Sequence, residues 1–305
     1  MKNIIFDVDT GIDDALAIGY AMHSPEIHVL GITTTFGNTS VEEATRNTIQ
    51  LLDALGESSV PVYPGVEETF AGHEPLEKTT WIHGQNGIGE AQLPQPKQSP
   101  QSMQAHDYLI KAIHDHPNNV TIIATANQSN LARAIQKDPS IVEKVDEVII
   151  MGGAVKTDGN ITPYAEANIY HDPEAAHYVF QSKVPVTLVG LDVTMQTLLN
   201  QETVENWREV DTLYANALAD MTEFYINAYK EHNNEARGCA LHDPLAVGVA
   251  IDSTFVTTKA MHIDVVLEGE EKGRTVGIET NQGNVHTCLE VDAHRFVEHF
   301  IQRIV

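Results

Sequence analysis

The sequence predicts an α/β protein with a doubly wound, mostly parallel central sheet and flanking helices. Short apolar runs alternate with stretches of helical periodicity along the chain, the pattern of repeated β-α units. The runs at 120–124 and 148–151 are continuously apolar, as strands become when both faces of a sheet are covered. Four aspartates, Asp7, Asp9, Asp13 and Asp14, crowd the junction of the first strand and first helix, where open α/β sheets place their ligands.

Taken in order, residues 4–8 form a short apolar strand, Thr10-Gly11 turns the chain, and residues 13–22 have helical spacing. A second strand at 28–35 ends on Phe36-Gly37-Asn38 and is followed by a helix at 41–55. Between 65 and 104 the composition shifts towards Pro, Gly, Gln and charge. Too little chain precedes this stretch for an independent domain, so it reads as an excursion or lid within one domain spanning 1–305. A helix at 105–114 leads to the strand 120–124, which ends on Thr125-Ala126-Asn127. Helix 131–137 leads to strand 148–151, which ends on Gly152-Gly153-Ala154. Asp172-Pro173 starts a helix at 173–181, with Asp as the cap and Pro in the first helical position. Strand 184–190 runs into Asp192-Val193-Thr194. The helix at 212–231 carries Tyr225 and Tyr229 four apart, hence on one face. His242-Asp243-Pro244 repeats the Asp-Pro start before a helix at 244–250, and a last strand is expected at 262–266. No internal repeat is visible.

Composition limits the partners. A chain of 305 residues with 42% hydrophobic content can bury one large core or two modest ones. A formal net charge of −25 repels phosphates, which argues against nucleic-acid and anionic-membrane partners but not against a small neutral substrate. Two cysteines, Cys239 and Cys288, imply a reducing compartment without a disulfide framework. The first strand starts directly after Met1-Lys2, leaving no export signal, and no apolar stretch approaches bilayer length, so the expectation is a cytoplasmic protein.

The N-terminal aspartates demand a counter-charge. Asp13 and Asp14 sit near the positive end of a helix dipole, which stabilises each by about 0.3–1 kcal/mol. That is too little to hold four carboxylates within eight positions, and capping needs fewer. A hard divalent cation with oxygen ligands is the natural partner. Asn160, Glu166 and Asn168, close together ahead of the 173–181 helix, have no capping duty and suit several hydroxyls, as a sugar presents. Asp243 reads either as a helix cap or as part of this chemistry. Its neighbour His242 can supply or relay a proton near neutral pH.

The motif Asp7-Val-Asp9-Thr-Gly-Ile-Asp13-Asp14-Ala resembles the N-terminal signature of the inosine-uridine nucleoside hydrolases. Gly37-Asn38, His83-Gly84, Met151-Gly152-Gly153, Glu166-Ala-Asn168-Ile-Tyr-His-Asp172-Pro173 and His242-Asp243-Pro244 follow in that family's order, covering nearly the whole chain. The resemblance implies that family's fold and calcium-dependent hydrolysis of the N-glycosidic bond of ribonucleosides, releasing ribose and free base. It assigns calcium to Asp9, Asp14, Asp243 and the main-chain carbonyl of Thr125, with Asp9 also taking a proton from the attacking water. It assigns ribose binding to Asp13, Asn38, Asn160, Glu166 and Asn168, with Met151 packing beside the sugar and Asp7 supporting Asp9 or its neighbours. His83, His242, Tyr225 and Tyr229 fall on the base side, with His242 the acid for the leaving base. His242 in that pocket speaks against the group of the family that uses a tryptophan there. Inosine and uridine or cytidine are the implied substrates, pyrimidines favoured, and a homotetramer or homodimer is the implied assembly. The chain departs from the family pattern in three places: Ala167 replaces a bulky residue, Ala126-Asn127-Gln128-Ser129-Asn130 replaces Gly-Pro-Leu-Thr-Asn, and Asn86 stands where Asp is usual.

Two other readings are compatible with parts of the sequence. Asp7-Val-Asp9-Thr10 also resembles the opening of haloacid-dehalogenase-type phosphatases, with Asp7 as nucleophile and magnesium as cofactor, but that leaves Asp13, Asp14 and the HDP segment unexplained. A non-catalytic calcium-dependent nucleoside-binding protein would bind uridine or inosine without releasing base.

Overall fold

The computed structural model describes residues 1–232 and 237–305. Its strands in chain order are β1 (Lys2–Val8), β2 (Ile27–Thr34), β3 (Val62–Pro64), β4 (Thr121–Ala124), β5 (Glu147–Met151) and β6 (Val186–Val189). They continue with β7 (Leu198–Leu199), β8 (Cys239–Ala240), β9 (Val256–Val265), β10 (Thr275–Glu279) and β11 (Val285–Val291). Among the described residues nine of these form one sheet in the order β10-β9-β11-β6-β5-β4-β1-β2-β3, and β7 pairs with β8 in a separate ribbon. Every pairing from β3 to β11 is parallel, while β9 and β10 are antiparallel additions at the far edge. The mostly parallel, doubly wound sheet expected from the sequence is therefore present.

The two apolar faces explain why its central strands lack alternation. Along β1, Ile4, Phe6 and Val8 enter the core that also holds Ile12, Leu16 and Leu52. Ile5 points the other way, into a second core with Ile122, Ile150 and Leu188. Period-two side-chain geometry thus buries every β1 position after Lys2 and Asn3.

The chain reverses direction of growth between β1 and β4. From β1 it proceeds outward through β2 to β3, then returns to add β4, β5 and β6 on the opposite side. Loops leaving the C-terminal ends of β1 and β4 therefore diverge, opening a crevice between them. Asp9 and Thr125 follow directly on those two strands.

Several elements escaped the periodicity reading. β3 is only three residues long, and β10 and β11 alternate exposed Val276, Ile278, His286 and Glu290 with buried positions. β9 begins at Val256, ahead of the expected 262, because its first half carries exposed Thr257, Thr258 and Lys259. Helices Thr80–His83, Ala167–His171, Leu191–Thr194, Gln201–Trp207 and Ala293–Ile301 were also not anticipated. The last buries Phe296 and Phe300, four apart on one face. Residues 65–104 are tied down locally: Val41 N–H donates to Glu67, Phe70 N–H to Asp172, and Gln50 Nε2 to the carbonyls of Leu93 and Pro94. No described helix is long and apolar enough to cross a membrane. Cys239 and Cys288 are free and buried.

Candidate active site

The turn after β1 gathers carboxylates, and backbone and side-chain donors from several segments hold them in place. Helix Ile12–Met22 starts at Gly11, whose N–H donates to Asp14 Oδ2 at 2.9 Å. Thr125 Oγ1, arriving at the end of β4, donates to Asp14 Oδ1 at 2.7 Å. Asp9 is held from the β2 side: Asn38 N–H donates to its Oδ2 at 2.6 Å and Asn38 Nδ2 to its Oδ1 at 3.2 Å. Gly37 makes that approach possible, since a Cβ there would lie 2.0 Å from Asp9 Oδ2.

Asp243 enters from the far end of the chain, in the first turn of helix His242–Ile251. It is not a cap: both its carboxylate oxygens are buried and have no hydrogen-bond partner among the described residues. Oxygen atoms of Asp13, Asp14 and Asp243 lie within 4.8 Å of one another, a group that could hold a metal ion. This trio differs from the expected set by carrying Asp13 in place of Asp9, whose two oxygens are engaged by Asn38. Burial, reinforced by the mutual repulsion of these groups, raises Asp9 and Asp243 well above the ordinary carboxylate range. Burial and the charge of Asp13 raise Asp14 to about 7. A divalent cation would offset that repulsion, and an all-oxygen donor set suits a hard one.

Asp7 lies one step below. It does not bond Asp9; Oδ1 instead accepts from Thr33 Oγ1 at 2.7 Å and Asn130 Nδ2 at 2.8 Å, and Oδ2 is buried without a partner. Its part is to tie β1 to β2 and to the helix Ser129–Lys137. Burial raises it from 3.8 to about 6. The folded value exceeds the unfolded one, so the stability Asp7 contributes is complete at low pH and is lost as pH rises through about 6. Asp7→Asn does not titrate. Thermal melts should therefore show the variant gaining on the parent from about pH 4 to about pH 7, by on the order of 3 kcal/mol. A constant gap would mean that Asp7 is ionised throughout.

Above the carboxylates is a cavity of about 500 Å³. Asp13, Asn38, His83, Thr125, Met151, Asn160, Glu166, Asn168, Tyr225, Tyr229 and His242 line it, so most residues singled out in the sequence meet there. Asp9, Asp14 and Asp243 are buried and outside the lining. Trp81, Ile82, Ile161, Met195, Leu198, His232 and Arg237 also line it and were not foreseen. Trp81 therefore shares the cavity with His242, and it packs on His232 with ring centroids 4.1 Å apart. A tryptophan in a polar excursion was the available signal.

One wall is a chain of main-chain contacts. Glu166 Oε1 accepts from Asn168 N–H at 2.9 Å, and Oε2 accepts from Gly153 N–H at 2.9 Å and Ile169 N–H at 3.2 Å. Glu166 thus does have a capping duty, on the short helix Ala167–His171, contrary to the sequence reading. Burial raises its pKa. Asn168 Nδ2 donates to the carbonyls of Thr125 at 3.0 Å and Met151 at 3.1 Å, linking the ends of β4 and β5. Asn160 Oδ1 accepts from Ala167 N–H at 3.0 Å. Asn86, one of the departures, organises its own turn: Oδ1 accepts from Ile88 and Glu90 N–H, and Nδ2 donates to the Ala91 carbonyl. An aspartate would lose the last bond.

The opposite wall carries the aromatic and imidazole groups. Ile12 N–H donates to His83 Nδ1 at 3.2 Å, which leaves the proton of the neutral ring on Nε2. Because that nitrogen accepts a hydrogen bond it carries no proton, and its 4.0 Å approach to Asp13 is no ion pair; burial lowers the pKa of His83. Burial likewise pushes His242 down to about 4, so it too is neutral at pH 7. Its Nε2 meets Tyr229 Oη at 2.8 Å, and its Nδ1 meets Thr194 Oγ1 at 2.7 Å. Tyr225 Oη donates to Asp13 Oδ2 at 3.4 Å and its ring stacks on His83. Burial raises the pKa of both phenols.

The profile of the family described as inosine-uridine preferring nucleoside hydrolase matches residues 4–298. The chain is 39% identical over 271 residues to the inosine-uridine preferring nucleoside hydrolase of Leishmania major, covering 88% of this chain and 84% of that protein. It is 33% identical over 306 residues to the pyrimidine-specific ribonucleoside hydrolase RihA of Citrobacter koseri, covering 99% and 97%. Among solved structures, the purine-preferring ribonucleoside hydrolase from Gardnerella vaginalis matches with a TM-score of 0.96 at 40% identity, over 99% of this chain and 98% of that one. With a carboxylate cluster under a cavity at the sheet's reversal point and these likenesses along its length, the chain belongs to the inosine-uridine preferring nucleoside hydrolases, enzymes that cleave the N-glycosidic bond of ribonucleosides.

Proposed function

We propose that the protein is a calcium-dependent ribonucleoside hydrolase in which Asp14, Asp243, Asp9 and the Thr125 carbonyl hold the ion. The observation that carries this reading is Asp243, whose two oxygens are buried and unpartnered beside Asp13 and Asp14. An orphaned carboxylate is costly unless a cation completes it. Bound calcium would neutralise the cluster and acidify the attacking water.

The chain's own residues supply the rest. Asp9, with its pKa raised by burial, is the base that takes the proton of the attacking water. Asp13, Asn38, Asn160, Glu166 and Asn168 bind the ribose hydroxyls, and Met151 packs beside the sugar. As the C1′–N bond breaks, the ribose becomes cationic and these oxygens stabilise it, while donors on the His83 and His242 side stabilise the departing base. Residues 65–104 act as the lid, carrying Trp81 and His83 over the cavity, and keep out bulk water.

Uridine, cytidine and inosine are the proposed substrates. A cavity of about 500 Å³ has room for either ring size, and relatives named for purine and for pyrimidine preference both resemble this chain. We further propose a cytoplasmic homo-oligomer, for which the free buried cysteines support only the reducing compartment. The test is hydroxyl dependence. A site built to bind a hydroxyl rejects its absence, so kcat/KM for 2′-deoxyuridine should fall about a thousandfold or more below that for uridine. Comparable values would overturn the ribose assignment.

A further inference from the structure

The helix Leu191–Thr194 follows β6 and delivers one side chain to the base side of the site. Thr194 is fully buried, and its Oγ1 has His242 Nδ1, at 2.7 Å, as its hydrogen-bond partner among the described residues. Elsewhere in the chain a helical threonine hydroxyl turns back to the carbonyl four residues earlier, as Thr222 does to Leu218. Thr194 makes no such bond. Its hydroxyl proton therefore has one acceptor, the Nδ1 lone pair.

We propose that Thr194 is a positioning residue that fixes the tautomer of His242. The hydroxyl donates to Nδ1, so the neutral imidazole carries its single proton on Nε2. The opposite tautomer would point Nδ1–H at Oγ1 and strand a buried hydroxyl proton with nothing to accept it. Nε2–H then donates to Tyr229 Oη at 2.8 Å, and the tyrosine hydroxyl is left to donate elsewhere along the cavity wall. A phenol oxygen that accepts a hydrogen bond is a better donor for it, because such chains polarise one another. The wall thus presents a fixed donor towards negative charge building on the base, with no proton passing through the ring.

This rests on the reading that His242 faces the departing base, and a tautomer can be read without turnover, so the two fail separately. The experiment is a long-range proton–nitrogen spectrum of the calcium-loaded, ¹⁵N-histidine-labelled enzyme, with His242 assigned by its loss in His242→Gln. The expected spectrum has a bare Nδ1 and a protonated Nε2. Thr194→Val keeps the shape and removes the hydroxyl; its His242 signal should move towards a mixture of tautomers. Its kcat for uridine should drop about tenfold, the scale seen for lost outer-shell partners, with KM little changed. Thr194→Ser should restore both. A protonated Nδ1 in the parent protein, which needs no variant to fold, would overturn the proposal. So would a His242 signal unmoved in Thr194→Val.

Discussion

Removing divalent cations with a chelator should bring nucleoside hydrolysis to background, and added calcium should restore it. Asp13, Asp14 and Asp243 converge within 4.8 Å, and burial leaves them little water to share their charge. Without a cation, like charges at this range force part of the group to take up protons, which changes both its shape and its charge. The loss should be all-or-none for activity and partial for stability. A ligand bound only by the folded state at about a thousand times its dissociation constant stabilises by about 4 kcal/mol, so the melting temperature should drop on chelation and recover with calcium. Magnesium, which demands tighter octahedral geometry, should restore less. Full turnover in a demonstrably metal-free preparation would contradict the assignment.

Asp9→Asn should lower kcat at least about a hundredfold, the usual scale for loss of a general base. The amide keeps the size of the side chain and can still accept from Asn38 N–H, so the turn after β1 should survive. It cannot take a proton from water. Because Asp14, Asp243 and the Thr125 carbonyl remain, KM for uridine and calcium affinity should move far less than kcat. Steady-state kinetics alongside calcium titration separates the two effects. A variant with near-normal kcat would hand the base role to another carboxylate, Asp13 first.

The parts legible in the sequence were those whose signal is local. β1, β4 and β5 announce themselves because both faces are buried, and Asp172-Pro173 because a cap and its proline are adjacent. Edge elements were harder. β10 and β11 have one wet face, and β3 is too short to show a period. At the site, the aspartates were legible from crowding alone, but their hydrogen bonds were not: Asn38 reaches Asp9 from another strand end, and Asp13 lies within 4.8 Å of Asp14 and Asp243. Glu166 looked free of structural work because the five-residue helix it caps has no periodicity to read. Thr194 was visible as a polar strand end, yet its partner lies 48 positions away and only the fold brings them together.

Asp243 gives the order of synthesis a physical meaning. Asp9, Asp13 and Asp14 emerge within the first turn of the chain, whereas Asp243 lies in its last quarter. The helix His242–Ile251 packs directly against Ile12–Met22, so the carboxylate group is complete only when these two meet. A nascent chain that has not yet released Asp243 holds three acids and no pocket for the ion. If the proposed ion binds there, it can be captured only after the chain has grown past Asp243 and brought its two distant segments together.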